Sequence, residues 1–268
     1  MPTKLLVIGG GRIGGALVAG LLGAGWASPD ELAVIEPVAA RRSELAGAHP
    51  GLVVEEQVHP DLVQGAGGAV LAVKPDAAEA ACRVLGAAGV GRILSVVAGI
   101  PSQRLEAALG GSAVVVRAMP NTPVLVGAGV SAISGGSLAR AADLDWAESI
   151  LAAVGTVVRV PERQLDAVTG VSGSGPAYVF LMVESLIEAG VAAGLSREVS
   201  RSLVVETVLG SAKLLAVTGE TPERLRADIT SPGGTTAAAI RTLEARAVRS
   251  AFIEAVAAAV ERSRQLAR

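Results

Sequence analysis

The segment Asp228-Ile-Thr-Ser-Pro-Gly-Gly-Thr-Thr236 sets two hydroxyl clusters around a Pro-Gly-Gly turn and then runs into the helix-compatible stretch 237–244. A helix begun this way points free backbone N–H groups, and the positive end of its dipole, at whatever lies in the turn. The chemistry on offer is capture of a small anion, most simply a carboxylate. Ser172-Gly-Ser-Gly-Pro176 repeats the design, with hydroxyls and glycines ahead of a proline that suits a first helical position. It is expected to interrupt one helix and start the next, and two such turns favour a binding role over plain interhelix connection.

Near the N-terminus, Gly9-Gly10-Gly11-Arg12-Ile13-Gly14 spells G-x-G-x-x-G directly after an apolar run and at the head of a helical stretch. Glycines so placed permit a tight turn and the close approach of a dinucleotide pyrophosphate to a helix N-terminus. Glu36 closes the second apolar run, 25 positions beyond Gly11 (36 − 11). A carboxylate there accepts from a ribose 2′-OH and repels a 2′-phosphate, which favours NADH. Arg41 and Arg42 lie a turn further on and suit a 2′-phosphate instead, so the sequence leaves NADPH and NADH both open. Lys74, Ala98 and Asn121 each follow a later strand, where the carboxyl ends of a doubly wound sheet line the ligand crevice. The plainer readings are a structural glycine turn, solvated flanking charges and ordinary turn residues.

These residues need a scaffold. Up to about residue 160, short β-branched runs alternate with Ala-rich helical stretches. Strands are expected at 4–8, 32–36, 52–55, 69–73, 92–97, 113–118, 130–134 and 156–160, with helices at 13–22, 76–85, 102–109 and 141–153. Apolar strands separated by helices predict an α/β Rossmann-type, doubly wound, mostly parallel sheet over residues 1–162. After Pro161 the pattern is wholly helical, giving a second, all-α domain over 163–268 with breaks at 172–175, Gly194, Gly219 and 232–233. Thr221-Pro222-Glu223 reads as a cap and first turn. That helical part is small and rich in Ala, Leu and Val, so it is expected to bury its apolar surface against a second copy.

The 268 residues are 51% hydrophobic but only 2% aromatic, so the core must be built from Ala, Val, Leu and Ile. A net charge of −2 without a long basic run argues against nucleic acid. Cys82 is alone, which excludes an internal disulfide and fits a reducing cytoplasm. The first apolar run ends in a glycine turn rather than a cleavage site. The uncharged stretches 118–139 and 167–182 are broken by Pro, Gly, Ser and Asn, which argues against membrane spans. One Cys and two His, His49 and His59, do not make a zinc site, and no G-x-S-x-G elbow is present. The candidate site is poor in titratable groups, which points to chemistry driven by positioning.

Ile8-Gly-Gly-Gly-Arg-Ile-Gly14, Val73-Lys-Pro75, Arg117-Ala-Met-Pro-Asn-Thr-Pro123, Asp166-Ala-Val-Thr-Gly-Val-Ser-Gly-Ser-Gly-Pro-Ala-Tyr178 and Thr230-Ser-Pro-Gly-Gly-Thr-Thr236 occur in this order. In these pieces, and over nearly its whole length, the chain resembles the pyrroline-5-carboxylate reductases. The resemblance implies reduction of the ring imine of 1-pyrroline-5-carboxylate to L-proline by NADPH, the family default, or NADH. It also implies a homodimer joined through the helical domain, with dimers able to assemble into a larger ring. By the same resemblance Ser231, Gly233, Gly234 and Thr235 bind the substrate carboxylate, and Thr236 hydrogen-bonds the ring nitrogen. Gly9, Gly11 and Gly14 hold the pyrophosphate, with Arg12, Ile13, Glu36, Lys74, Ala98 and Asn121 along the cofactor. Arg12-Ile13 departs from the family's usual Asn-Met. Two other enzyme readings compete. A 3-hydroxyacid dehydrogenase needs a lysine on the first long C-terminal helix, and 176–194 has none. A reductase of another cyclic imino acid would use the same site. A nucleotide-sensing protein with a vestigial fold is disfavoured by the intact turns.

Overall fold

The computed structural model describes residues 3–266. Among them, eight strands form one sheet: β1 Leu5–Ile8, β2 Leu32–Ile35, β3 Val53–Glu55, β4 Ala69–Leu71, β5 Arg92–Ser95, β6 Val114–Pro120, β7 Gly129–Gly135 and β8 Gly155–Arg159. Their spatial order is β3-β2-β1-β4-β5-β6-β7-β8. Every neighbouring pair is parallel except β6 with β7. The first six strands carry the doubly wound order whose reversal, between β1 and β4, opens a crevice at the strands' carboxyl ends.

Alternation along each strand divides the core. Leu5, Val7, Leu32, Val34, Val70, Leu94 and Val116 join one buried cluster with Leu17, Val18 and Leu21 of the helix Arg12–Gly23. Leu6, Ile8, Ala69, Leu71, Ile93 and Val115 join the other, with Cys82 and Leu85 of Pro75–Ala87 and Leu105 of Ser102–Ala108. A period of two sends successive side chains to opposite faces, so a strand covered on both sides must be apolar throughout. Burial pushes the Cys82 thiol up to about 11, with the Glu79 carboxylate adding to the effect.

All eight expected strands are present: the first five are trimmed, β6 runs on to Pro120, β7 gains a residue at each end, and β8 is shifted by one residue. β4 stops at Leu71 and β5 at Ser95. Ala72 N–H still reaches Ile8 O (2.8 Å) and Val96 N–H reaches Leu71 O (3.0 Å), after which each chain leaves the sheet toward the crevice.

The chain divides into two compact units, one reaching Ser174 and including the segment from Ala259 on, the other Gly175–Ala258. The expected break at 172–175 is not found. Leu165–Val168 continues through a π-helical turn, Thr169–Gly173, into Gly175–Ala192. Ser174 N–H bonds Thr169 O at 2.8 Å, while the Thr169 and Ser172 hydroxyls donate back to Leu165 O and Val168 O. The wide turn lies just ahead of Pro176, which has no N–H to give the carbonyl four residues back. Glu162–Ala192 is thus one helical run, long and apolar enough to cross a bilayer, and none of its most apolar window is buried in the single chain. The expectation that proline and glycine break this stretch is therefore wrong.

In the second unit Gly175–Ala192 packs on Arg197–Thr218. Gly190 makes the pair close: a Cβ there would lie 2.1 Å from Ser200 Oγ, which donates to Ile187 O at 2.9 Å. Phe180, Leu181, Leu203, Leu209, Val217 and Ile253 are exposed on this unit. An apolar face of this kind marks an interaction surface.

Candidate active site

The glycine turn follows β1, and three glycines in it answer to contacts within the protein. Gly9 has φ +102 and sits so near β4 that a Cβ would meet Ala72 O at 2.6 Å. A Cβ on Gly14 would lie 1.9 Å from Gly9 O, and one on Gly10 would strike Leu45 Cδ1 at 2.4 Å. Gly11 differs. Its φ is −66°, and a Cβ there would meet nothing within 4 Å. It caps the helix Arg12–Gly23 without a side-chain hydrogen bond and with no acidic residue in the first turn. The backbone N–H groups of Arg12, Ile13 and Gly14 have no intrahelical acceptor at that position. What glycine leaves at 11 is open room against a helix N-terminus, which suits an anion such as a pyrophosphate.

Glu36 is not the solvated flank charge of the plainer reading. It is 7% exposed at the end of β2, where its Oε2 accepts from Gly10 N–H and its Oε1 from Val38 N–H, both at 2.9 Å. The carboxylate is thereby locked against the glycine turn. Arg41 is paired with Glu44 at 2.7 Å. Arg42 is engaged by Glu56 at 3.0 Å and by the carbonyls of Glu36 and Pro37. Lys74 caps the helix Pro75–Ala87 and is exposed, as is Ala98, beside Gly99 with φ +78. The Asn121 Oδ1 accepts from Val130 N–H at 2.9 Å, so that oxygen serves the β6–β7 connection, as its plainer reading held. The structure thus gathers Gly9, Gly11, Arg12, Ile13, Gly14, Glu36, Lys74, Ala98 and Asn121 at the carboxyl ends of β1, β2, β4, β5 and β6.

A cluster the sequence did not reveal ties the start of the helix Ser102–Ala108 to the middle of β6 and to the segment that follows β8. Glu162 Oε1 accepts from Ser102 N–H (2.8 Å) and Arg117 Nη1 (2.7 Å), and its Oε2 accepts from the Ser102 hydroxyl (2.6 Å). Burial works against ionisation, but the two Ser102 bonds and then Arg117 outweigh it and hold this carboxyl below the usual glutamate range. No local signal joins positions 60 and 45 residues apart.

In the second unit, Gly233 takes φ +70 and Gly234 caps the helix Thr235–Ala245. Gly234 N–H closes the turn on Ser231 O at 3.0 Å, and a Cβ on Gly234 would fall 2.5 Å from Ser231 Oγ. No side chain caps this helix and its first turn holds no acid. Thr235 and Thr236 are its first two residues, Thr235 exposed and Thr236 half-buried. Ser231, Gly233, Gly234, Thr235 and Thr236 therefore surround one uncompensated helix N-terminus, which suits a carboxylate.

Residues 162–266 match the family described as pyrroline-5-carboxylate reductase dimerisation, and residues 4–99 match NADP oxidoreductase coenzyme F420-dependent. The pyrroline-5-carboxylate reductase of Synechocystis sp. is 43% identical, over 99% of both chains. The solved pyrroline-5-carboxylate reductase of Coxiella burnetii superimposes over all of both chains with a TM-score of 0.93 at 34% identity. That of Plasmodium falciparum, solved with NADP bound, has a TM-score of 0.86 at 31% identity and covers 99% of this chain and 98% of its own. The chain belongs to the pyrroline-5-carboxylate reductase family. It is an oxidoreductase that reduces 1-pyrroline-5-carboxylate to L-proline with NADPH or NADH, the last step of proline biosynthesis. The dehydrogenase and vestigial-fold readings fall with this assignment. The dimerisation match also covers the whole of the long apolar run Glu162–Ala192 and the exposed apolar side chains after it.

Proposed function

We propose that the turn from Ser231 to Thr236 is the substrate clamp of this reductase and Thr236 its catalytic hydroxyl. Ser231, Gly233, Gly234 and Thr235 hold the carboxylate, chiefly through backbone N–H groups, and the Thr236 hydroxyl meets the ring nitrogen. The observation that carries this reading is the helix start at Thr235, with no side-chain cap and no acid in its first turn. Gly9, Gly11 and Gly14 hold the pyrophosphate with Arg12 and Ile13, Glu36 accepts from the adenosine ribose, and Lys74, Ala98 and Asn121 lie along the rest. In domain terms, residues 1–162 bind the dinucleotide, and residues 163–268 bind substrate and dimerise.

A reduced nicotinamide, when bound, supplies the hydride. The protein's share is placement. A protonated cyclic imine is already an electrophile, so the chain needs to fix the ring by its carboxylate, present a hydroxyl at the nitrogen and exclude alternatives. The hydride goes to the imine carbon and the nitrogen keeps its proton as the amine of L-proline, so no histidine is required. The Glu36 carboxylate, already committed to the glycine turn, supports use of a ribose 2′-OH and hence a preference for NADH.

The exposed apolar side chains support a homodimer, and the family resemblance supports a larger ring built from dimers. Lone Cys82 and the net charge of −2 support a cytoplasmic enzyme without nucleic-acid or membrane partners. The deciding experiment compares 1-pyrroline-5-carboxylate with 1-pyrroline lacking the carboxylate. The wild type should strongly prefer the former, and a variant with proline at Gly233 should lose that preference. Equal kcat/KM for both compounds in the wild type would dismiss the clamp.

A further inference from the structure

Glu162 stands outside every residue assigned to substrate or cofactor, yet three hydrogen bonds converge on it from two elements remote in sequence. Ser102, 6% exposed, is the first residue of the helix Ser102–Ala108 and ends the segment 96–101 that follows β5. The other end of that segment is anchored in the sheet: Ser95 is fully buried, and its register partner on β6 is Arg117 itself. Both ends of the segment are therefore tied to one point, with exposed Ala98 and left-handed Gly99 between them. Val97 and Ile100 are buried, so the ends are packed while the middle faces outward.

Strand order says what that middle faces. The adenosine side lies over β1 and β2, where Gly11 and Glu36 sit. A dinucleotide crossing the reversal point places its second nucleotide over β4 and β5. We infer that Glu162 is a positioning residue for the nicotinamide half of the cofactor: it pins Ser102 against Arg117 and so holds the Ala98–Gly99 segment in place. It acts through that segment and does not touch the cofactor. The inference rests on the reading of Ala98 as a cofactor-lining residue. Glutamate suits the task because two oxygens accept three bonds, one of them a charged pair, at a site where Arg117 is mostly covered.

The test separates positioning from general stability. Binding of ADP, which reports the adenosine half, and of the whole reduced dinucleotide is measured by calorimetry on Glu162→Ala, Glu162→Gln and Ala98→Val, with steady-state KM and kcat beside it. Glu162→Ala is expected to weaken dinucleotide binding and raise its KM by about tenfold, leaving ADP affinity and the KM for 1-pyrroline-5-carboxylate within about twofold. Glu162→Gln keeps one acceptor and should fall between, a partial rescue that loss of packing does not give. Parallel weakening of ADP and dinucleotide would overturn the inference, because the residue would then be holding the whole fold. So would unchanged dinucleotide binding in Glu162→Ala alongside a loss in Ala98→Val, which leaves the reading of Ala98 standing. If neither variant alters dinucleotide binding, the reading of Ala98 fails and takes the inference with it.

Discussion

Replacing Glu36 by glutamine separates charge from shape at the carboxylate bound to the glycine turn. The side chain is 7% exposed and both oxygens are occupied by backbone N–H groups at 2.9 Å. It therefore cannot swing away from an incoming 2′-phosphate without abandoning them. Two unit charges about 4 Å apart interact by about 4 kcal/mol at the effective dielectric of about 20 that suits protein sites. A phosphate monoester carries about −1.5 to −2 charges at neutral pH, while salt and rearrangement reduce the repulsion, so about 2–4 kcal/mol is a working range. At about 1.4 kcal/mol per decade, that is roughly 30- to 800-fold against NADPH. Arg41 and Arg42 do not offset it freely, since each is already paired. Glutamine removes the charge, keeps one acceptor and turns an NH₂ toward the second backbone N–H, at a stability cost of about 1–3 kcal/mol. The kcat/KM ratio of NADPH to NADH should then rise by at least about tenfold. Calorimetry with AMP and adenosine 2′,5′-bisphosphate should show the same shift without turnover. A folded Glu36→Gln protein that binds AMP normally, yet whose ratio moves by less than about threefold, would refute the electrostatic reasoning.

Thr236→Val keeps shape and removes the hydroxyl; a loss of about 2–4 kcal/mol, on the order of a hundredfold in kcat/KM, is expected with ADP binding intact. Turnover at the wild-type rate would reduce Thr236 to a helix-start residue. Gly14→Ala pushes a methyl to within 1.9 Å of Gly9 O, so the turn must shift. Overpacking of this kind costs about 1–3 kcal/mol, and ADP affinity should fall together with melting temperature. Leu209 is 60% exposed in the single chain, and Leu209→Glu should shift sedimentation toward monomer or unfold the helical unit; an unaltered dimer places the interface elsewhere. Cys82, its thiol pushed up to about 11, should resist alkylation at pH 8 until the protein unfolds. Because the unfolded thiol titrates near 8.5, its contribution to stability holds below that pH and is lost as pH climbs through the folded value.

Much of the architecture was legible because it is written in short-range pattern. Leu5-Leu-Val-Ile8 and Leu32-Ala-Val-Ile35 are apolar at every position, as a strand covered on both faces must be, and the helices between them oblige a parallel sheet. The trimmed ends of β4 and β5 were not legible, since where pairing stops depends on the neighbouring strand. The Gly9–Gly14 turn and the Ser231–Thr236 turn could be read directly, because backbone geometry and helix ends are local properties. The continuity of the helical run through Thr169–Gly173 could not, because glycine, serine and proline signal a break unless a wider turn absorbs them and Met119 of β6 packs against Gly173.

By itself, then, the sequence determined the order of elements, the glycine turn after the first strand, the Pro-Gly-Gly turn ahead of Thr235 and the family. Tertiary structure alone decided that Glu36 is buried against Gly10 and that Arg41 and Arg42 are already paired. It alone joined Glu162 to Ser102 and Arg117, and showed which glycines the protein needs for itself and which it leaves open. The physical reason is range. Dihedral preference, periodicity and helix-end electrostatics act over a few residues, whereas desolvation and ion pairing depend on which distant segments the folded chain brings into contact.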